Sequence, residues 1–182
     1  MTTRARTVYT IGHSTRTLPE FIDLLQAFGV EEVADVRRFP GSRRNPQFSG
    51  AQLKNALAEV GIGYLHLVEL GGRRGRPKPG SPNTGWRVAA FQAYADRMAD
   101  PEWLRALAEL EERARSATVA YMCAEAVPWR CHRRLISDAL VVRGWEVRHI
   151  LAMERADLHE LQDFARVQAD GSILYPAPEE EG

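Results

Sequence analysis

Apolar positions along the chain alternate between two spacings, one suited to strands and one to helices. TVYTIG (7–12) is a β-branched and aromatic run closed by Gly12, His13 and Ser14, which predicts a strand followed by a loop. Leu18, Phe21, Ile22, Leu24, Leu25 and Phe28 then recur at helical spacing, with Thr17 or Ser14 as the cap and Pro19 in the first turn, until Gly29 stops the helix. Val30 to Val36 reads as a second strand leading into Arg37, and Ser49 opens a helix that carries Leu53, Leu57 and Val60 and ends at Gly61. IGYLHLVEL (62–70) predicts a third strand, and helices are expected over 86–98 and from Asp100 to about Arg115. TVAYMCA (118–124) is a fourth strand, CHRRLISDALVVRG (131–144) a helix ended by Gly144, and WEVRHIL (145–151) a fifth strand. Beyond Met153 a short helical stretch is expected, then a loose polar end over about 174–182, so the core is placed at about 8–153.

Strands that alternate with helices imply right-handed crossovers between parallel strands. The expected fold is α/β: one domain over 1–182, a layered sheet of about five mostly parallel strands flanked by helices. Such sheets bind ligands at the carboxyl edge of their strands. That edge collects His13 and Ser14 after the first strand, Asp35 and Arg37 after the second, and Glu69, Gly71 and Gly72 after the third. Cys123 and Glu125 follow the fourth, and His149 lies toward the end of the fifth. Asp35 and Arg37 share a face because side chains alternate along a strand; they either pair as scaffold or leave Arg37 to clamp an anion. His66, inside its strand pattern, reads as a satisfied interior histidine.

Charge changes this picture little in total and more in placement. The chain holds 24 basic and 24 acidic residues, which argues against a uniformly basic nucleic-acid binder. Lys54 and Lys78 are its only lysines, and arginine is the better fork for carboxylate and phosphate. Arg38, Arg43, Arg44, Arg73, Arg74, Arg76 and Lys78 fall in two loops at the carboxyl edge and predict a positive rim. No apolar run reaches the roughly 20 residues of a membrane-spanning helix, and the start lacks an apolar signal core, so a cytoplasmic protein without a membrane partner is expected. Two cysteines make no disulfide framework and fit a reducing compartment.

The densest chemistry lies in CAEAVPWRCHRR (123–134), which holds both cysteines, Glu125, His132 and three arginines, Arg130, Arg133 and Arg134. A metal site would use Cys123, Cys131 and His132 with His13 or His66. The cysteines, however, stand eight apart rather than two to four, and adjacent Cys131 and His132 diverge on a helix. A redox pair lacks the tight CxxC spacing, although a loop of this length can bring two sulfurs together. The third reading is a thiol in an anion site: Cys131 at a helix start, with arginines nearby, is placed for a lowered pKa. Against it stands the common fate of cysteine as an inert buried residue, above all for Cys123 in an apolar strand.

TIGHST, DVRRFPGSRRNPQF, GIGYLHLVELGGRR and CAEAVPWRCHRRLISDAL together resemble, in order and spacing, the bacterial and archaeal family called domain of unknown function 488, over about Val8 to Ile150. The resemblance implies motif positions at His13, Ser14, Asp35, Arg37, Pro40, Glu69, Leu70, Gly71, Cys123, Glu125, Cys131, His132 and Arg133, and implies no established reaction. A looser similarity in layout links the Asp-Val-Arg strand end and the later strand-Cys-loop-Arg-helix to rhodanese-type sulfurtransferases and cysteine phosphatases. Here six residues separate Cys123 from Arg130, where the phosphatase loop has five.

The functional expectation is an enzyme for an anionic substrate, phosphorylated or derived from nucleic acid, requiring no cofactor that the sequence announces. Arg37, Arg130 and Arg133, supported by Ser14, Asp35, Glu69 and Gly71, would bind the anion. Cys123 or Cys131 would act as nucleophile, and His13, Glu125 and His132 would complete the catalytic set. The alternatives are a non-catalytic module binding nucleic acid through its arginine loops, and a metal-dependent hydrolase with Cys and His ligands.

Overall fold

The computed structural model describes residues 6–72 and 75–179. Five parallel strands form the centre: β1 (Thr7–Gly12), β2 (Glu32–Asp35), β3 (Gly63–His66), β4 (Val119–Cys123) and β5 (Glu146–Ala152). The helices are α1 (Leu18–Ala27), α2 (Gly50–Glu59), α3 (Ala89–Arg97), α4 (Pro101–Ser116) and α5 (Arg133–Val142). A sixth strand, β6 (Arg155–Leu158), runs antiparallel along β5, and β7 (Arg166–Val167) pairs with β8 (Ile173–Leu174) apart from the sheet. The chain is therefore α/β with a mostly parallel sheet, ordered β3-β2-β4-β1-β5-β6.

Strand periodicity decides which helices cover which face. Val119, Tyr121 and Cys123 of β4, with Val8 of β1, face the cluster that contains Leu107, Leu110, Leu135 and Leu140 from α4 and α5. Ala120 and Met122, with Ile11, face Phe21, Leu25, Leu53 and Leu57 from α1 and α2. The helix starts follow local chemistry: Thr17 and Glu20 form a reciprocal capping box on α1, with Pro19 in its first turn.

The order of strands makes the crevice. After β1 the chain moves toward β2 and β3; after β4 it crosses β1 to reach β5. The connections diverge between neighbouring β1 and β4, so their carboxyl ends flank the topological switch point where open α/β sheets place ligands. Pairing continues past the strand ends: the His13 N–H donates to the Cys123 carbonyl at 3.0 Å and the Ser14 N–H to the Ala124 carbonyl at 3.0 Å. Gly12 allows this closeness, because a Cβ there would lie 1.6 Å from the Glu125 carbonyl oxygen.

Several expectations are corrected. The segment after Met153 is not helical: it turns at once and pairs with β5, since the β5 edge offers unpaired backbone partners that a four-residue helix would lack. Order also extends past both 153 and 174, because Tyr175 is fully buried, packs its ring on Trp86 and donates its hydroxyl to Asp138 at 2.8 Å. The third strand ends at His66, and Glu69 sits in a 3-10 turn over Val68–Leu70. The helix expected from residue 131 begins at Arg133, after a 3-10 turn over Pro128–Arg130 that Cys131 closes.

Candidate active site

A cavity of about 410 Å³ opens at the carboxyl edge, within the range of small-molecule sites (about 300–1,000 Å³). His13, Arg37, Cys123, Glu125, Arg130, Cys131 and His132 all line it. Loops far apart in the sequence thus meet at one mouth. A larger cavity of about 750 Å³ lies between the 78–83 loop and the 170–174 hairpin, but neither cysteine nor histidine lines it.

The two thiols share the floor. Cys123 Sγ and Cys131 Sγ stand 2.7 Å apart as free cysteines, so the eight-residue spacing does not separate them. Arg133 binds both: its Nε donates to Cys123 Sγ at 3.0 Å and its backbone N–H to Cys131 Sγ at 3.4 Å. Its other guanidinium nitrogens donate to Thr10 Oγ1 at 2.9 Å and to the Glu125 carbonyl at 2.8 Å. Arg133 is 1% exposed, and among the described residues no carboxylate stands within ion-pair distance of it. A buried cation without a carboxylate favours any neighbour able to ionise. Burial alone would raise both thiols. At Cys131 the hydrogen bond from Cys123 and the charge of Arg133 outweigh it and bring the thiol down to about 7. Cys123 stays well above its ordinary value, through burial and through its neighbour's negative charge. Of the two sulfurs, Cys131 is therefore the one favoured to ionise first.

Hydrogen bonding fixes the two nearby histidines in opposite tautomers. His132 Nε2 donates to the Val36 carbonyl at 2.8 Å, which leaves Nδ1 as an acceptor 3.5 Å from Cys131 Sγ. His13 Nδ1 donates to the Ser14 carbonyl at 2.8 Å, so its Nε2 accepts from Arg37 Nη1 at 3.4 Å. Burial lowers both imidazoles, which keeps them neutral. His132 Nδ1 thus faces the Cys131 thiol as a neutral acceptor.

Ser14, Asp35, Glu69, Gly71 and Arg133 stand around the cavity without lining it. Asp35 and Arg37 form a buried pair, with Nη2 to Oδ2 at 2.8 Å and Nε to Oδ1 at 2.9 Å, so the scaffold role applies and Arg37 keeps only Nη1 on the histidine side. Ser14 holds a left-handed backbone (φ 50°) that turns the chain out of β1. Gly71 packs so closely on Arg38 that a Cβ would meet its backbone nitrogen at 2.5 Å. Glu69 accepts at its carbonyl from Arg97 at 3.2 Å. Arg133 directs every one of its side-chain nitrogens to partners inside the protein, Cys123, Thr10 and the Glu125 carbonyl. Glu125 serves it through the backbone carbonyl while its side chain stands exposed at the rim. At the far end of the turn after Cys123, the N–H groups of Arg130 and Cys131 are spent on the Val127 and Pro128 carbonyls.

Sequence reasoning passed over the cavity's aromatic wall and the residue that anchors Arg133. Phe39, Phe91 and Tyr94 line the mouth beside Arg38, whose guanidinium lies 5.0 Å from the Phe39 ring centre. Phe91 and Tyr94, three apart on a helix, were a legible pair. Thr10 gave no signal within its strand. Of the expected rim, Arg38 lines the cavity, where Arg130 joins it from the thiol turn; Arg43, Arg44 and Arg76 are exposed elsewhere, Lys78 is bonded to Asp96 and Asp100, and Arg73 and Arg74 lie outside the described residues.

A second polar cluster continues from Thr10. Its hydroxyl meets His149 Nδ1 at 2.6 Å, His149 Nε2 meets His159 Nδ1 at 2.9 Å, and His159 Nε2 meets Asp138 Oδ1 at 2.7 Å. The Asp138 carboxylate accepts from His159 Nε2, and burial keeps His149 neutral, so one of its ring nitrogens donates and the other accepts. His149 and His159 border a separate cavity of about 230 Å³. Among the described residues no three His, Cys, Asp or Glu side chains form a metal-binding group.

Searches of curated proteins and of solved structures return no significant match. A family profile does match, over residues 17–140, a span that takes in the Asp35–Arg37 strand end, the Gly71 turn and the whole thiol turn while leaving the GHS turn outside. With most of its length and the residues of the cavity floor inside that match, the chain belongs to the family of domain of unknown function DUF488.

Proposed function

We propose that the protein is a thiol-dependent enzyme acting on a small anionic substrate, with Cys131 as the nucleophile. The observation that carries this reading is the buried guanidinium of Arg133, whose nearest ionisable neighbours are two sulfurs rather than a carboxylate. That arrangement favours a thiolate at neutral pH inside a cavity. His132 Nδ1 faces the Cys131 thiol as a hydrogen-bond acceptor and relays its proton to solvent, and Arg38 and Arg130 at the mouth attract the substrate's charge. The aromatic wall of Phe39, Phe91 and Tyr94 suits a substrate with a flat or apolar part, as nucleic-acid-derived anions have. The Cys131 thiolate attacks an electrophilic centre of the bound anion, the bond to the leaving group breaks, and the leaving group takes a proton from solvent. The non-catalytic nucleic-acid-binding alternative draws on Arg43, Arg44 and Arg76, none of which lines the cavity.

Paired alkylating agents test both halves of the reading. At neutral pH, Cys131 is expected to react with anionic iodoacetate at least as fast as with neutral iodoacetamide, with added salt slowing only the former. Arg130→Ala should abolish that preference. A Cys131 that resists both reagents, or that prefers the neutral one regardless of salt, contradicts the proposal.

A further inference from the structure

We propose that Cys123 is a resolving thiol for Cys131, so that the site performs thiol–disulfide exchange with a small anionic disulfide and closes an internal Cys123–Cys131 disulfide. The inference rests on Cys131 as the nucleophile, but it assigns Cys123 a chemical task that a buried strand cysteine does not need. Both sulfurs line the same cavity, and they adjoin each other at 2.7 Å, so neither the strand nor the turn must unfold for them to bond.

The steps balance as follows. Cys131 thiolate attacks one sulfur of the disulfide R–S–S–R; that bond breaks, one thiolate leaves, and Cys131 holds the other half as a mixed disulfide. Cys123 then gives its proton to the departing thiolate and attacks the Cys131 sulfur, expelling the second half, which takes a proton from solvent to replace the one Cys131 had already released. Two protein thiols are oxidised and one external disulfide is reduced to two thiols.

Arg133 supplies the order of events. Its Nε lies 3.0 Å from Cys123 Sγ, and both sulfurs compete for its single buried charge. While Cys131 is ionised, Cys123 is held as a thiol. Once Cys131 is capped and neutral, the guanidinium has lost its anion and Cys123 becomes the next group it can ionise. The resolving thiol is thus switched on by formation of the adduct it must resolve. A pair of inert packing cysteines would need no buried cation bonded to both.

The probe is oxidised glutathione, a small disulfide with carboxylates on both halves. Reduced wild-type protein is expected to release two equivalents of glutathione thiol per chain and keep no adduct. Cys123→Ser should release one and retain a stable glutathione adduct on Cys131, whereas Cys131→Ser should release none. Trypsin cuts after Arg130, so the oxidised wild type should yield the 116–130 peptide joined to the 131–133 peptide, separable by reduction. A lasting adduct on wild-type Cys131, or no reaction at all, overturns the proposal. Alkylation of Cys131 by iodoacetate in the same preparation then tells a failed resolving step from a failed nucleophile, and circular dichroism of each variant identifies loss of fold.

Discussion

The guanidinium of Arg133 joins two buried polar arms that use similar material differently. On one side, Thr10, His149, His159 and Asp138 form a chain in which each donor meets an acceptor and which ends on a carboxylate that also accepts a hydrogen bond from the Tyr175 hydroxyl. On the other, the guanidinium meets two sulfurs, and charge is matched only when one of them releases a proton. The first arm is saturated whatever binds outside, so its residues hold shape. The second is completed by an ionisation, so it holds chemistry. Burial and residue type do not separate the two; what the chain of donors ends on does.

Replacing Arg133 by Leu should have the largest effect, because both arms lose their common member. Thr10, the Glu125 carbonyl and the thiols are left without their buried donor, at about 1–3 kcal/mol for each group left unsatisfied. The Cys131 alkylation midpoint should rise from about 7 to at least the ordinary thiol value of about 8.5. Urea unfolding and alkylation at graded pH read the two effects, and an unmoved midpoint would show that the thiol is tuned by something else.

Asp138→Asn should break the histidine arm alone. One amide N–H then faces the His159 or Tyr175 donor, costing about 1–3 kcal/mol of stability. The Cys131 midpoint should stay near 7, since no direct bond connects Asp138 to either sulfur. A large shift there would mean that the arms communicate, and the division between scaffold and chemistry would fail.

Acid unfolding gives a smaller effect. Burial, then the neighbouring His159 and Arg133, lowers His149 from 6.5 to about 3. Between those values the unfolded chain binds a proton that the folded chain excludes, so stability is complete above about 6.5 and falls as pH drops through this window. His13 and His132 are lowered in the same direction and add to the slope. His149→Gln should make the pH dependence shallower by up to about one proton per chain, measured by urea titrations from neutral to mildly acid pH.

The sheet and the cavity were legible in the sequence because both follow from local pattern. Apolar runs of strand length alternate with helical spacing, and the polar residues that end β1, β2 and β4 arrive at one edge by topology. The role of Arg133 was not legible. An arginine beside a cysteine reads equally as a ligand clamp or as an internal partner, and only its burial and fixed donors decide. Likewise β6 and Tyr175 depend on partners distant in sequence, the β5 edge and Asp138, against which a four-residue strand and a lone tyrosine give weak local signals.

The central claim is that Arg133's buried charge is matched by one thiolate on Cys131. Ultraviolet absorbance of the reduced, folded protein counts thiolates directly. The expected result is one thiolate per chain forming with a midpoint near 7, kept in Cys123→Ser with a moved midpoint and absent in Cys131→Ser. Absorbance that stays at the fully protonated level until pH exceeds the ordinary thiol value of about 8.5 would contradict it.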